Sequence, residues 1–195
     1  SGFVNLDRLL ANRSAHEGDL LVLTKALGTG VLTSAHKGGI LDDEGVKVAT
    51  DSMITLNKLP IELARGLELH ACTDVTGFSL MGHGCEMAEA SGLTAYINSS
   101  DVPVMARARE MARMGLIPAG AYRNRDFFGP RVSISDEVPL DLSDVLFDPQ
   151  TSGGLLLAMP DGDAGELVSR LRDAGQPAAI VGSMRAREDC SVRVL

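Results

Sequence analysis

Two compact apolar runs, Leu20-Leu21-Val22-Leu23 and Leu155-Leu156-Leu157-Ala158-Met159, constrain this chain most tightly. Each is too short for a stable helix and is entered through glycine, so each reads as a buried strand. A chain with two such strands must build a sheet, and the stretches between them must supply its cover. Residues 31–37 look helical and end at Gly38-Gly39. Residues 42–66 form a long helical stretch with Val46, Ala49, Met53 and Leu56 on one face, kinked or split at Pro60. A helix starting near Phe78 buries Met81, Gly84, Cys85 and Ala88 and stops at Ser91-Gly92.

Later segments follow the same logic. Residues 93–98 read as a strand, and Asp101 is the expected N-cap of a helix with Pro103 in its first turn and Val104, Ala108, Met111 and Gly115 inside. Residues 117–130, with Pro118, Gly120, Gly129 and Pro130, read as a long irregular loop. Residues 131–135 suit a strand and 136–144 an acidic exposed stretch. Asp163 and Glu166 resemble a capping box for a helix carrying Ala164, Leu167, Val168, Leu171 and Ala174, closed by Gly175. Residues 178–181 make a further strand, giving a β-α-β unit with the second apolar run, and 191–195 an edge strand. Residues 3–10 suit a strand or a helical turn. The class is therefore α+β: one mixed β-sheet with helices packed mainly on one face.

Bulk properties exclude several functions. Aromatic residues are 4% with no Trp, so the core is built from Leu, Val, Ile, Ala and Met. A net charge of -8 without a basic patch argues against sequence-independent nucleic-acid binding, although a nucleotide remains possible if Mg²⁺ bridges carboxylate and phosphate. Cys72, Cys85 and Cys190 fit no zinc or redox spacing and imply unpaired thiols in a reducing compartment. No apolar run has the length of a membrane span and no signal-peptide core is present, so the expected location is cytoplasmic, with no membrane partner. The chain opens on Ser1-Gly2-Phe3, as expected of a domain of something longer.

Chemistry concentrates in residues 71–83, Ala-Cys-Thr-Asp-Val-Thr-Gly-Phe-Ser-Leu-Met-Gly-His. A carboxylate at a glycine-containing turn suits a hard cation, which makes Asp74 the candidate metal ligand; the alternative is an N-cap for the helix after Phe78. Thr73, Thr76 and Gly77 offer hydroxyls and backbone donors for phosphate oxygens, or hydrogen bonds that hold the turn. His83 suits packing or capping better than catalysis. Lys25, Gly28, Thr29 and Gly30 follow the first strand in the general geometry of an anion cradle, without the full spacing of a Walker loop. For Lys25 the alternative is a solvated side chain at a strand end, and for the glycines a tight turn.

Four glycine-bearing segments carry a family resemblance. Residues 23–30, Leu-Thr-Lys-Ala-Leu-Gly-Thr-Gly, resemble an LTKPLGTG run with Ala26 where proline is usual. Residues 73–83 resemble TDVTGFGLLGH with Ser79 in place of glycine, and residues 118–124 a PGGT-x-RN segment in which Ala119 departs from glycine. Residues 148–156, Asp-Pro-Gln-Thr-Ser-Gly-Gly-Leu-Leu, match DPQTSGGLL without change. The chain thus resembles the C-terminal domain of the selenide, water dikinase (selenophosphate synthetase) family, in the aminoimidazole ribonucleotide synthetase-like superfamily.

The resemblance implies a phosphotransferase that makes selenophosphate, AMP and orthophosphate from selenide, ATP and water, with Mg²⁺ required. It implies that Asp74 is a magnesium ligand; Arg123 and Asn124 are candidates to border the nucleotide pocket, the alternative being a place away from it. Residues 1–18 would be an entry segment from a missing N-terminal ATP-binding domain, and 19–195 the C-terminal domain. The catalytic Cys or selenocysteine and its Lys would lie in the missing domain, so no catalytic residue is expected here and the piece alone would be inactive. The full-length protein would be a homodimer. Two other readings stay open at this point: a sister ATP-dependent synthetase, and a non-catalytic nucleotide- or partner-binding domain.

Overall fold

A computed structural model describes residues 9–195. The two apolar runs are β1 (Leu20–Leu23) and β5 (Leu155–Met159), paired antiparallel as the third and second strands of a seven-stranded sheet. The others are β2 (Ala71–Asp74), β3 (Leu93–Ile97), β4 (Val132–Ile134), β6 (Ala179–Ala186) and β7 (Val192–Val194). Their order is β2-β5-β1-β6-β3-β7-β4. Pairs β2/β5, β5/β1, β1/β6 and β6/β3 are antiparallel, whereas β3/β7 and β7/β4 are parallel.

Among the described residues eight helices cover the sheet: α1 (Thr29–Lys37), α2 (Asp43–Ile54), α3 (Lys58–Leu63), α4 (Ser79–Ala90), α5 (Ala108–Arg113), α6 (Ala119–Phe128), α7 (Leu140–Leu146) and α8 (Asp161–Asp173). Strand alternation sorts them into two layers. Leu21, Leu23, Leu156 and Ala158 point into the larger core with buried residues of α1, α2, α4, α5, α6 and α7. Val22, Leu155, Leu157 and Met159 point the other way, onto Ala164, Leu167, Val168 and Leu171 of α8. The expected mixed sheet with most helices on one face is therefore present. The β-α-β unit is split, because β1 lies between β5 and β6.

Several local expectations need correction. The break in the 42–66 stretch falls at residues 55–57, where Thr55 turns extended, and Pro60 sits inside the first turn of α3. The amides of a first helical turn need no intrahelical acceptor, so proline costs little there. Asp101 closes a 3₁₀ turn instead of capping a helix. The segment after it stays extended because Leu27 N–H donates to Pro103 O at 2.9 Å and Met105 N–H to Leu27 O at 2.9 Å, which delays α5 to Ala108. The proposed loop over 117–130 is mostly helix α6, with Pro118 directly before it. Residues 140–146 form α7, in which Asp141 is buried and bonded to Arg109 at 2.6 Å. Helix α8 begins at Asp161; Asp163 accepts Glu68 N–H at 2.8 Å, and Glu166 pairs with Arg170 instead of capping. The C-terminal strand β7 lies between β3 and β4, not at the edge. Most of the expected element over residues 3–10 lies outside the described residues.

Candidate functional site

Antiparallel pairing with β5 makes β1 and β2 run in the same direction, so Lys25 and Asp74 leave the sheet at the same end. The loop entering β5, residues 148–154, meets both there. Val75 N–H donates to Gly154 O at 2.8 Å, Gln150 N–H to Thr76 O at 3.0 Å, and Leu155 N–H to Thr24 Oγ1 at 2.8 Å. Gly153 is required at this junction, since a Cβ would lie 2.0 Å from Val75 O. Segments 23–30, 73–83 and 148–156 singled out in the sequence are thus one hydrogen-bonded body.

A cleft of about 310 Å³ opens on this body, lined by Lys25, Asn57, Asp74, Thr76, Ser152 and Gly153 among others. Asp74 is exposed at the end of edge strand β2, at the mouth of the cleft. It does not cap α4, whose N-cap position is Phe78. Thr76 Oγ1 lies 3.2 Å from His83 Nε2, and His83 Nδ1 lies 3.1 Å from Glu86 Oε2, so His83 is buried support for the turn. Gly77 is exposed on the turn, and Thr73 is half-buried with its hydroxyl 3.4 Å from Asp74 O.

The anion cradle expected at Gly28, Thr29 and Gly30 is already filled, by the chain itself. Gly28 N–H and Thr29 N–H donate to Gln150 Oε1 at 3.0 and 3.2 Å, and Gly30 N–H donates to Asp148 Oδ2 at 2.9 Å. The Thr29 hydroxyl donates to Gln150 Oε1 at 3.1 Å and accepts Thr151 N–H at 2.9 Å. Gly30 is buried against Asp148, where a Cβ would stand 2.3 Å from Oδ1. These amides hold the 148–154 loop in register. Burial pushes the Asp148 carboxyl up to about 7, against the opposing pull of the Val31 amide, the Gln150 side chain and the Gly30 amide.

Lys25 is neither solvated nor pointed at open space. It is 4% exposed, and its Nζ donates to Ser52 O at 3.0 Å, Thr55 O at 2.7 Å and Ser152 O at 2.8 Å. Burial lowers its pKa. One ammonium thereby clamps the end of α2 to the 148–154 loop across the floor of the cleft.

Asn57 is the residue that sequence reasoning missed. Its Nδ2 donates to Gly153 O at 2.8 Å, while its Oδ1 is buried with no hydrogen-bond partner. An asparagine at the N-cap of α3 that makes no side-chain cap bond has its side chain committed elsewhere. Next to the Thr76–Phe78 turn lies a second cleft of about 590 Å³, lined by Gly77, Phe78, Arg123, Asn124, Phe127 and Pro149 among others. There Asn124 donates to Gly77 O at 2.9 Å and Phe147 O at 3.1 Å, which ties α6 to the turn.

The cysteines do not look like nucleophiles. Burial, with Asp74 nearby, pushes Cys72 up to about 11, and burial pushes Cys85 up to about 12. Among the described residues no helix is long and apolar enough to cross a membrane.

The departures from the family pattern also have places. Ser79 opens α4 at φ 68, a left-handed conformation that explains why glycine suits this position. Ala119 is exposed at the first position of α6, and Ala26 lines a further cleft of about 360 Å³ beside Lys25.

Comparison with known proteins shows the family. A family model described as "AIR synthase related protein, C-terminal domain" matches residues 16–195, and the chain belongs to that family. The chain is 42% identical over 189 residues to a selenide, water dikinase of Clostridium botulinum, covering 97% of this chain and 55% of that protein. It is 42% identical over 200 residues to selenide, water dikinase 2 of Peptoclostridium acidaminophilum, covering 100% of this chain and 56% of that one. It thus spans slightly more than half the length of these curated relatives. Among solved structures, E. coli HypE aligns with a TM-score of 0.69 at 20% identity, over 99% of this chain and 51% of that one. The hydrogenase maturation protein HypE in complex with ATP aligns at 0.65 and 19%, over 98% and 51%. At these identities the likeness is one of fold.

Proposed function

We propose that this chain forms the C-terminal part of a selenide, water dikinase, an enzyme converting selenide, ATP and water to selenophosphate, AMP and orthophosphate. The observation that carries the reading is the unchanged residue run 148–156: it builds the floor of the Asp74 cleft, and the chain aligns nearly end to end with relatives named for that activity. The same run disfavours a sister synthetase.

The cleft residues fit a hard cation. Asp74 offers an exposed carboxylate, and Asn57, lining the same cleft, has a carbonyl oxygen without a partner. Bound Mg²⁺ would neutralise charge developing on the ATP phosphates. Asp74 would hold the ion, and the Thr76 hydroxyl and Gly77 amide would face phosphate oxygens. Lys25, Gly28, Thr29 and Gly30 would act one step removed, by fixing the loop that shapes the cleft. Arg123 and Asn124 would border the nucleotide. The nucleophilic Cys or selenocysteine and its Lys would come from an N-terminal domain of the same protein, which makes the present chain one wall of a composite site. The complete enzyme would be a cytoplasmic homodimer.

The test is ³¹P NMR of the full-length protein with ATP and Mg²⁺. Selenide-dependent formation of AMP and selenophosphate is expected, with none from residues 1–195 alone. ATP turnover by the isolated chain, or AMP formation that ignores selenide, would refute the reading.

A further inference from the structure

The ends of β1 and β2 away from Asp74 carry a second constellation that the phosphotransfer reading does not use. Asp19 directly precedes β1 and His70 directly precedes β2, while His16 lies one turn upstream. Four residues of extended strand, roughly 13 Å, separate this end from Asp74. His16, Asp19 and His70 each present a ligand atom within 4.8 Å of the others.

The supporting bonds match what a metal centre needs. His70 Nδ1 lies 2.8 Å from Asp19 Oδ1 and 2.9 Å from Oδ2, and its Nε2 lies 3.1 Å from Glu68 Oε1. In the metal-free chain Nδ1–H donates to Asp19; an ion would displace that proton, and Glu68 on the remote nitrogen would then hold the remaining N–H. Asp19 is only 3% exposed, and its Oδ2 accepts His16 N–H at 2.8 Å, which orients the carboxylate. The sheet anchors both inner ligands: His70 N–H donates to Ala158 O at 3.0 Å, and Asp19 O accepts Met184 N–H at 2.8 Å. The exposed His16 ring lies against His70, tilted by 41° with centroids 3.9 Å apart. Tetrahedral ligand atoms at about 2.0 Å from an ion stand roughly 3.3 Å from each other. An ion between His70 and Asp19 therefore needs those atoms to part by about half an ångström, with exposed His16 turning in as third ligand.

We propose that His16, Asp19 and His70 bind a divalent cation of the zinc type, at a site separate from the Asp74 cleft, with Glu68 holding the far nitrogen of His70. Two imidazoles and one carboxylate favour Zn²⁺ over Mg²⁺, which takes oxygen ligands. Three protein ligands leave one position for water. The ion would tie the segment entering β1 to the entry of β2.

Calorimetric titration of the metal-free 195-residue chain with Zn²⁺ tests this, alongside Co²⁺ absorption. The expected result is one ion per chain, visible Co²⁺ bands without a thiolate charge-transfer band, and a melting temperature raised by Zn²⁺ but not by Mg²⁺. His16→Ala keeps the backbone bond to Asp19 and should fold normally, yet should weaken Zn²⁺ at least tenfold. Cys190→Ser should change nothing, although Glu188, Asp189 and Cys190 are the other cluster with ligand spacing among the described residues. The proposal is overturned if the chain takes up no stoichiometric Zn²⁺, if His16→Ala binds as tightly as the parent, or if Cys190→Ser abolishes binding.

Discussion

Replacing Lys25 by methionine separates two roles that the sequence left open for it. In the structure its ammonium donates to the carbonyls of Ser52, Thr55 and Ser152 at 2.7–3.0 Å and meets no carboxylate among the described residues. Charge-assisted bonds contribute about 1.5–3 kcal/mol each, so three set a ceiling near 4.5–9 kcal/mol. The cost of burying the ammonium offsets part of this, and Ser52, Thr55 and Ser152 keep some solvent access. A net loss of about 3 kcal/mol is expected for Lys25→Met. Ser152 sits at φ 50, a conformation that persists only while its surroundings hold it, and Lys25 is one of the holders. Urea denaturation at pH 7, followed by circular dichroism, gives the value directly. A loss below about 1 kcal/mol with nucleotide affinity abolished would refute the clamp and return Lys25 to the phosphates.

Asp148→Asn should change the pH dependence of stability. The folded carboxyl titrates near 7 and the unfolded one near 3.9, so the folded state holds the extra proton between them. This contribution is complete below pH ~4 and is lost as pH rises through about 7, by at most on the order of 4 kcal/mol. The stability of Asp148→Asn relative to the parent should therefore grow from pH 5 to 8, and parallel denaturation curves would contradict this. Ser79→Gly relieves a left-handed serine that costs roughly 1 kcal/mol, partly cancelled by the unfolded-state entropy of glycine. Its thermal midpoint should equal or exceed the parent's, and a fall of several degrees would show that the Ser79 side chain matters more than its backbone.

The sheet was legible wherever apolar runs were short and continuous, as in β1 and β5, because only a buried strand satisfies both length and composition. Helices with a strong inner face, such as α4 and α8, were legible for the same reason. Helix α6 was not, since it buries only Ala121, Asn124 and Phe128, and a proline beside its start mimics a loop. The delay of α5 depends on Leu27, some eighty residues upstream, which no local pattern carries.

The site divided in the same way. Asp74 at the mouth of a cleft was readable from a carboxylate in a glycine turn. The filling of the Gly28–Gly30 amides by Gln150 and Asp148 is a contact across about 120 residues, and spacing within one segment cannot reveal it. Asn57 escaped because a lone asparagine before a helix reads as a cap.

The central claim is that Asp74 supplies a metal ligand to a composite Mg·ATP site, and it is tested most directly by Asp74→Asn in the full-length enzyme. Selenide-dependent AMP formation, measured against Mg²⁺ concentration, should fall roughly a hundredfold, about 3 kcal/mol of lost stabilisation. The thermal midpoint should move little, since the side chain is exposed at the end of an edge strand. Unchanged turnover at limiting Mg²⁺ would remove Asp74 from the site and contradict the account.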